Sequence, residues 1–351
     1  MGSLASEVVL PHLWQKPTSP DLLNCLKELR IEPPVWNLQV SRTEILKEQS
    51  QILAAHDKRE IISFLSSIIK SSLSWIESDD EREEVWNEAS KRLSERCGRT
   101  AMGEITRKWP FKDTSYGEFS LTIREPPLTG DSLGLKTWGS SYVLAQLLPR
   151  FALGPLAHLL LDDAGTRAHA VEVLELGSGT GLLGLAAAAS WQARVVLTDL
   201  PTIISNLAFN ADLNRQTIEV HGGRVDTAPL TWGGEEDEID PRFRSTNHYK
   251  LIIVADPLYD DDHPALLAGA INEQLSLGSD SRVLVMVPQR DETTKGFLAT
   301  LRTEMLQQSS PLVSEEESVV AGEDDWGDDG DDDDSKRVGF WWGIFKRDTA
   351  S

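Results

Sequence analysis

The chain has 351 residues, 34 basic and 56 acidic side chains, a formal net charge of −22 and 40% hydrophobic residues. This mixture excludes a wholly disordered or collagen-like chain, and the acidity argues against a generic binder of phosphate backbones. Two cysteines, Cys25 and Cys97, exclude a disulfide scaffold and a cysteine-only zinc site, and they suit a reducing compartment.

The length suits one large domain with an extension, or two domains. No apolar run reaches the roughly 18 residues a membrane helix needs, so no membrane association is expected. MGSLAS fits the N-myristoylation pattern through Gly2 and Ser6, but no polybasic second signal follows it, so anchoring is not expected. Pro11 and Trp14 arrive before a signal-peptide core forms, which makes a cytoplasmic location the expectation. Residues 1–40 are proline-rich, with Pro33-Pro34 as a break, and read as loop and short turns. Ile45, Leu46, Ile52 and Leu53, then Ile61, Ile62, Leu65, Ile68 and Ile69, recur at helical spacing over residues 43–75. A second helix is predicted over 79–97, capped by Asp79 or Asp80 and striped by Val85, Trp86, Ala89 and Leu93. Residues 1–100 therefore form a helical N-terminal extension, and residues 101–351 the main domain.

Strand-like alternation over residues 117–124 puts Phe119, Leu121 and Ile123 on one face and stops at Pro126-Pro127. Residues 140–161 are apolar at helical spacing. From Val171 onward strands alternate with helices: strand Val171–Leu176, the loop GSGTG, the helix LLGLAAAAS, strand Arg194–Leu200, a helix over 201–214, and a strand near Ile218–Val225. The strand Tyr249–Tyr259, a helix over 262–277, the strand Arg282–Pro288 and a helix over 293–307 follow. Glu315–Asp334 holds twelve acids and no Lys or Arg, leaving about −10 for the rest of the chain. It reads as a disordered, self-repelling acidic loop, with docking to a basic protein as the alternative. Val338–Arg347 is a last strand with no helix after it, so it inserts antiparallel. The fold class is α/β, a parallel sheet covered on both faces.

The sharpest motif is Glu175-Leu176-Gly177-Ser178-Gly179-Thr180-Gly181, which follows a strand and opens a helix. Glycines let this backbone turn tightly and approach a ligand with no Cβ in the way, at the strand edge where α/β sheets bind ligands. A dinucleotide fingerprint needs glycine at position 182, which is Leu. The Gly-x-Gly-x-Gly pattern fits an adenosyl amino acid better than a pyrophosphate. Asp199 ends the next strand, where a carboxylate can accept both ribose hydroxyls. The alternative for Asp199 is an N-cap of the helix that Pro201 begins.

ELGSGTGLLG, LTDLP and NLAFNADLN resemble a class I, seven-strand S-adenosylmethionine-dependent methyltransferase. KTWGSS (Lys136 to Ser141), LTWG (Leu230 to Gly233), ADPLY (Ala255 to Tyr259) and FWWGIFKR narrow the resemblance to the family 16 protein-lysine methyltransferases over roughly residues 100–347. The N-terminal helices and RLSERCGRTA (Arg92 to Ala101) are similar to the fungal branch acting on translation elongation factor 2. The resemblance implies a Rossmann-like seven-stranded sheet with the last strand antiparallel, S-adenosyl-L-methionine as cofactor, a protein substrate in elongation factor 2, and a monomer. It places Trp138 along the cofactor pocket, Gly177, Ser178 and Gly179 against the methionine part, Asp199 on the ribose, Trp232 beside the adenine and Ala255 on the floor. Asp256 and Tyr259 would border the lysine channel as the catalytic pair. Trp138 and Trp232 have an alternative as core filler, and Trp341 and Trp342 are read as strand and core residues.

Methyl transfer to lysine is an in-line displacement that needs alignment and a neutral amine. Tyr259 would orient that amine, and Asp256 would accept one of its N–H groups, with capping of the loop as its alternative role. His263 fits a helix start better than catalysis. The tetrad Asp-Pro-Leu-Tyr is close to the Asp-Pro-Pro-Tyr of nucleic-acid amino-methyltransferases, but position 258 is Leu and the chain is acidic, so no direct nucleic-acid contact is expected. Two rival readings stay open beside lysine methylation: methyl transfer to a nucleic-acid or small-molecule amine, and a non-catalytic S-adenosylmethionine-binding module. The seven His are scattered, without an HxxxH or HxH pair, so no metal site is expected.

Overall fold

The computed structural model describes residues 10–31, 59–96, 104–113, 117–127, 133–161, 171–322 and 338–348. The Gly2 and Ser6 pattern, the expected helical turns of residues 43–58, Cys97 and residues 323–334 of the acidic tract lie outside them. The described residues fall into two compact units that meet in sequence at Ile105 and Thr106.

The first unit is helical: α1 (Ser19–Glu28), α2 (Arg59–Lys70) and α3 (Asp79–Ser94). A capping box opens α1, with the Thr18 and Asp21 side chains each accepting the other's backbone N–H. Helix α3 is capped by Ser78, which accepts Glu81 N–H, rather than by Asp79 or Asp80. The two aspartates sit instead in the first turn, where the positive end of the helix dipole favours them. Leu22, Leu26, Leu65, Ile68, Val85 and Ala89 form the unit's core.

In the second unit, β1 (Ile105–Asp113) and β2 (Gly117–Glu125) form a two-stranded sheet. After α4 (Gly139–Leu153) and the short α5 (Ala157–Leu160) come β3 (Glu172–Leu176), α6 (Leu182–Trp191), β4 (Arg194–Asp199), α7 (Pro201–Val220) and β5 (Arg224–Pro229). Then follow β6 (Leu251–Ala255), α8 (His263–Gln274), β7 (Arg282–Gln289), α9 (Glu292–Gln307), β8 (Leu312–Gly322) and β9 (Val338–Arg347). The main sheet has seven strands in the order β5-β4-β3-β6-β7-β9-β8, with β3 to β7 parallel and β9 antiparallel to both β7 and β8. Strand residues alternate between two cores: Val173 packs with α6 on one face, Leu174 and Leu176 with α8 on the other. Every residue of α6 is buried, which explains a helix that is apolar all round. Trp341 and Trp342 are both buried in β9, one on each face.

In the extension, residues 1–40, expected as loop and short turns, hold the helix α1, because the Thr18 capping box and the buried Leu22 and Leu26 support it. Two further expectations need correction in the main domain. The helix expected over 201–214 runs to Val220, and the strand expected near Ile218–Val225 is Arg224–Pro229. The β-branched Ile218 and Val220 suggest a strand, but Ile218 is a buried helical residue, and packing overrides propensity. Gly222, at φ +83°, and Gly223, where a Cβ would collide with the Ala188 carbonyl oxygen, end the helix. The second correction concerns residues 315–322 of the expected acidic loop, which belong to β8. Their charge is locally matched: Glu315 pairs with Arg282 (2.6 Å) and Lys346 (3.1 Å), Glu317 with Arg302 (2.9 Å), and Glu316 with Arg150 (3.7 Å). Burial pushes the Glu315 carboxyl up, but Arg282 and Lys346 outweigh it and hold the group below its ordinary value.

NLAFNADLN owes its spacing to the β1–β2 hairpin. Asn206, Asn210 and Asn214 lie one turn apart on the buried face of α7. The Asn214 side-chain oxygen accepts Thr122 N–H (2.8 Å) and its amide donates to the Thr122 carbonyl (2.8 Å). Asn210 repeats the pattern on Arg124 (2.9 and 3.1 Å) and also donates to the Thr180 carbonyl in the glycine loop (3.0 Å). The asparagines thus complete the backbone bonding of β2 as a neighbouring strand would.

Candidate active site

The carboxyl ends of β3, β4, β6 and β7 lie along one edge of the sheet, and the chemistry-bearing residues follow them directly. After β3, Gly177, Gly179 and Gly181 all take positive φ (67°, 55° and 89°), which side chains rarely adopt. A Cβ on Gly177 would press on the Trp232 ring (3.2 Å), and one on Gly179 on the Gly134 carbonyl oxygen (3.1 Å). Ser178 ties the loop to β4, donating its N–H to the Thr198 carbonyl (2.8 Å) and accepting Thr198 N–H through Oγ (3.0 Å). Beneath the loop, burial pushes the Glu175 carboxyl up to about 8 against the pull of Ser178 and the Gly184 N–H.

Asp199 closes β4. One oxygen accepts Gly179 N–H (2.7 Å), the other Leu200 N–H (2.7 Å). Burial still raises its pKa above the ordinary value. The N-cap position of α7 is Leu200, with no side-chain cap bond, so Asp199 is not the helix cap. Each carboxylate oxygen has a second lone pair, so Asp199 retains acceptor capacity for two hydroxyls.

Ala255 ends β6 and is buried. Asp256 follows in the left-handed region (φ 55°), its N–H donating to the Met286 carbonyl (2.9 Å). Its side chain is 6% exposed and meets Arg290, just past β7, in a two-pronged contact: Nη1 to Oδ1 at 3.0 Å and Nη2 to Oδ2 at 2.5 Å. Ser140 Oγ donates to Oδ2 (3.3 Å). The Trp138 ring lies under both Arg290 (5.4 Å) and Lys136 (4.4 Å), and its Nε1–H donates to the Leu133 carbonyl (3.1 Å).

Tyr259 is 56% exposed. Partial burial and the carboxylates Asp199, Asp256 and Asp260 raise its hydroxyl pKa, so it stays protonated. His263 is the first residue of α8, and its ring stands edge-on to Tyr259 (4.2 Å) and to Trp232 (6.0 Å). Its Nδ1 is buried without a hydrogen-bond partner among the described residues.

All nine residues singled out in the sequence therefore gather at this edge. Trp138 touches Arg290, the partner of Asp256; Trp232 touches Gly177; Tyr259 lies within electrostatic reach of Asp199 and Asp256. Sequence reasoning missed Arg290 and the ring contacts of His263. Arg290 had a signal, since it directly follows a strand at the same edge as Asp199 and Asp256.

A Rossmann-like sheet, a positive-φ glycine loop and strand-end carboxylates form a candidate site for an adenosyl ligand. The lysine methyltransferase family model matches residues 117–304. The protein-lysine N-methyltransferase EFM2 of Saccharomyces cerevisiae is 37% identical over 205 residues, covering 55% of this chain and 46% of that protein. This chain thus spans less than half the length of that relative. Protein-lysine N-methyltransferase rrg1 of Schizosaccharomyces pombe is 31% identical over 239 residues, 68% of this chain and 73% of that one. Among solved structures, TrmN from Thermus thermophilus overlays with a TM-score of 0.37 at 18% identity, covering 77% of this chain and 68% of that chain. The chain belongs to the lysine methyltransferase family. Among the described residues, no helix is long and apolar enough to cross a membrane.

Proposed function

We propose that this chain methylates a lysine of a cytoplasmic protein, acting as a monomer, with translation elongation factor 2 as the substrate. The observation that carries the reading is the Asp256-Pro257-Leu258-Tyr259 turn, which leaves β6 beside the glycine loop at the same sheet edge. The cradle fits S-adenosylmethionine: Gly177 and Gly179 turn the backbone at positive φ beside Trp232 and Gly134, and Asp199 keeps capacity for ribose hydroxyls. Bound there, the cofactor supplies an electrophilic methyl group on a cationic sulfur.

The chain's own residues then align and desolvate the amine. Lysine is a nucleophile only after losing a proton, with an ordinary pKa of about 10.4. Asp256 already holds Arg290 through both oxygens, so its carboxylate fixes the turn rather than acting as a bare base. Tyr259, exposed and protonated, orients the incoming amine through its hydroxyl or ring face. The elongation factor assignment draws on the likeness of Arg92 to Ala101 and the N-terminal helices to the fungal branch acting on that factor.

Tyr259→Phe is expected to lower kcat/KM about tenfold, the worth of one hydrogen bond, while calorimetric affinity for S-adenosylmethionine stays at the wild-type value. An unchanged rate would remove the Tyr259 hydroxyl from the reaction. The reading as a whole is tested by incubating the purified chain with labelled S-adenosylmethionine and extract of cells lacking this gene. Label on elongation factor 2 lysine supports the full proposal. Another labelled protein keeps the reaction and discards the substrate, and label only in RNA or small molecules defeats the proposal.

A further inference from the structure

Asp256 and Arg290 raise an electrostatic question that lysine methylation must solve. A buried carboxylate beside the acceptor would hold the substrate as its ammonium ion, which is unreactive. Here the carboxylate is met on both oxygens by a guanidinium, with the two side chains 6% and 13% exposed. Arg290 is itself held by the Trp138 ring.

We propose that Arg290 is a positioning residue that acts through Asp256, cancelling its charge so that the acceptor lysine enters as the neutral amine. The inference rests on the proposed lysine transfer. The other charged and titratable groups around the pair and the turn are Lys136 on the Trp138 ring, Asp199 and Asp260 near Tyr259, Tyr259 itself and His263. Asp291, next in sequence to Arg290, is occupied as the N-cap of α9, accepting Thr294 N–H and its hydroxyl (both 2.8 Å). In this set, Arg290 is the cation bonded directly to the carboxylate of the turn.

The test is the pH profile of label transfer into whichever extract protein the wild type labels. In Arg290→Gln the bare Asp256 carboxylate retains the lysine proton. The acid limb of kcat, read at saturating substrate, moves up by about one pH unit or more, so the variant is at least about tenfold slow on that limb and recovers at higher pH. Arg290→Lys keeps the charge and leaves the limb in place, whatever its rate. Asp256→Asn with Arg290→Gln removes both charges and returns the limb to the wild-type position. An equal rate loss in Arg290→Gln at every pH, or a limb that the paired variant does not bring back, would overturn the proposal. If the wild type labels no protein lysine, the lysine-transfer reading falls and this inference with it. A labelled lysine with an unmoved limb removes this inference alone.

Discussion

Asp256→Ala is expected to destabilise the protein by about 3–5 kcal/mol, because it strands the Arg290 cation in a nearly dry site. The effect is larger than deleting an exposed ion pair, whose worth is about 0–1 kcal/mol. The backbone adds to it: Asp256 sits at φ +55°, which Asp tolerates better than Ala. Methyl transfer should fall with stability, since the turn that presents Tyr259 begins at Asp256. Asp256→Asn keeps the shape and one acceptor oxygen for Arg290 but not the charge, and should cost less than Asp256→Ala while remaining destabilising. Urea denaturation of the three proteins decides the matter. Equal midpoints for Asp256→Ala and wild type would mean that the pair does not hold the turn.

Asn210→Ala should cost about 2–4 kcal/mol. Its side chain serves three backbone groups at once, Arg124 N–H, the Arg124 carbonyl and the Thr180 carbonyl; alanine removes all three bonds, while the Arg124 carbonyl keeps its bond from Asn206 (3.3 Å). For a domain of this size that is a fall in Tm of about 5–10 °C. Because Thr180 belongs to the glycine loop, affinity for S-adenosylmethionine should weaken too. A variant that melts with the wild type would show that water or a shifted strand replaces the ladder without loss.

The sequence made the ligand edge legible because its rules are local. Three glycines at 177, 179 and 181 announce backbone that other residues resist, and acids placed directly after apolar strands announce the sheet's carboxyl edge. Arg290 obeyed the same rule but follows a proline and a glutamine, and nothing local says that its partner is thirty-four residues back. The asparagines of α7 were visible as a helical repeat, yet their purpose depends on β2, about ninety residues earlier. The acids of β8 suggest a loop because runs of acid normally repel. The cations that neutralise them come from α4, β7, α9 and β9, and only the assembled sheet brings them together. The end of α7 is hidden for a simpler reason: Ile218 and Val220 favour strands in isolation, whereas the buried face of the helix claims Ile218.

Strand β8 is also the rim of the main sheet. A rim strand offers its backbone to any passing strand, and identical molecules are the commonest passers-by. Each copy of this protein carries Glu315, Glu316 and Glu317 along that rim, next to a tract of further acids. Two rims approaching each other bring the same three glutamates and their paired cations face to face, so edge-to-edge pairing is disfavoured at the middle of the strand. This guard changes sign with pH: acid that protonates the glutamates frees Arg282, Lys346, Arg302 and Arg150 and leaves the rim positive. The rim of this protein therefore stays charged on both sides of the carboxylate range, first through matched pairs and then through bare cations.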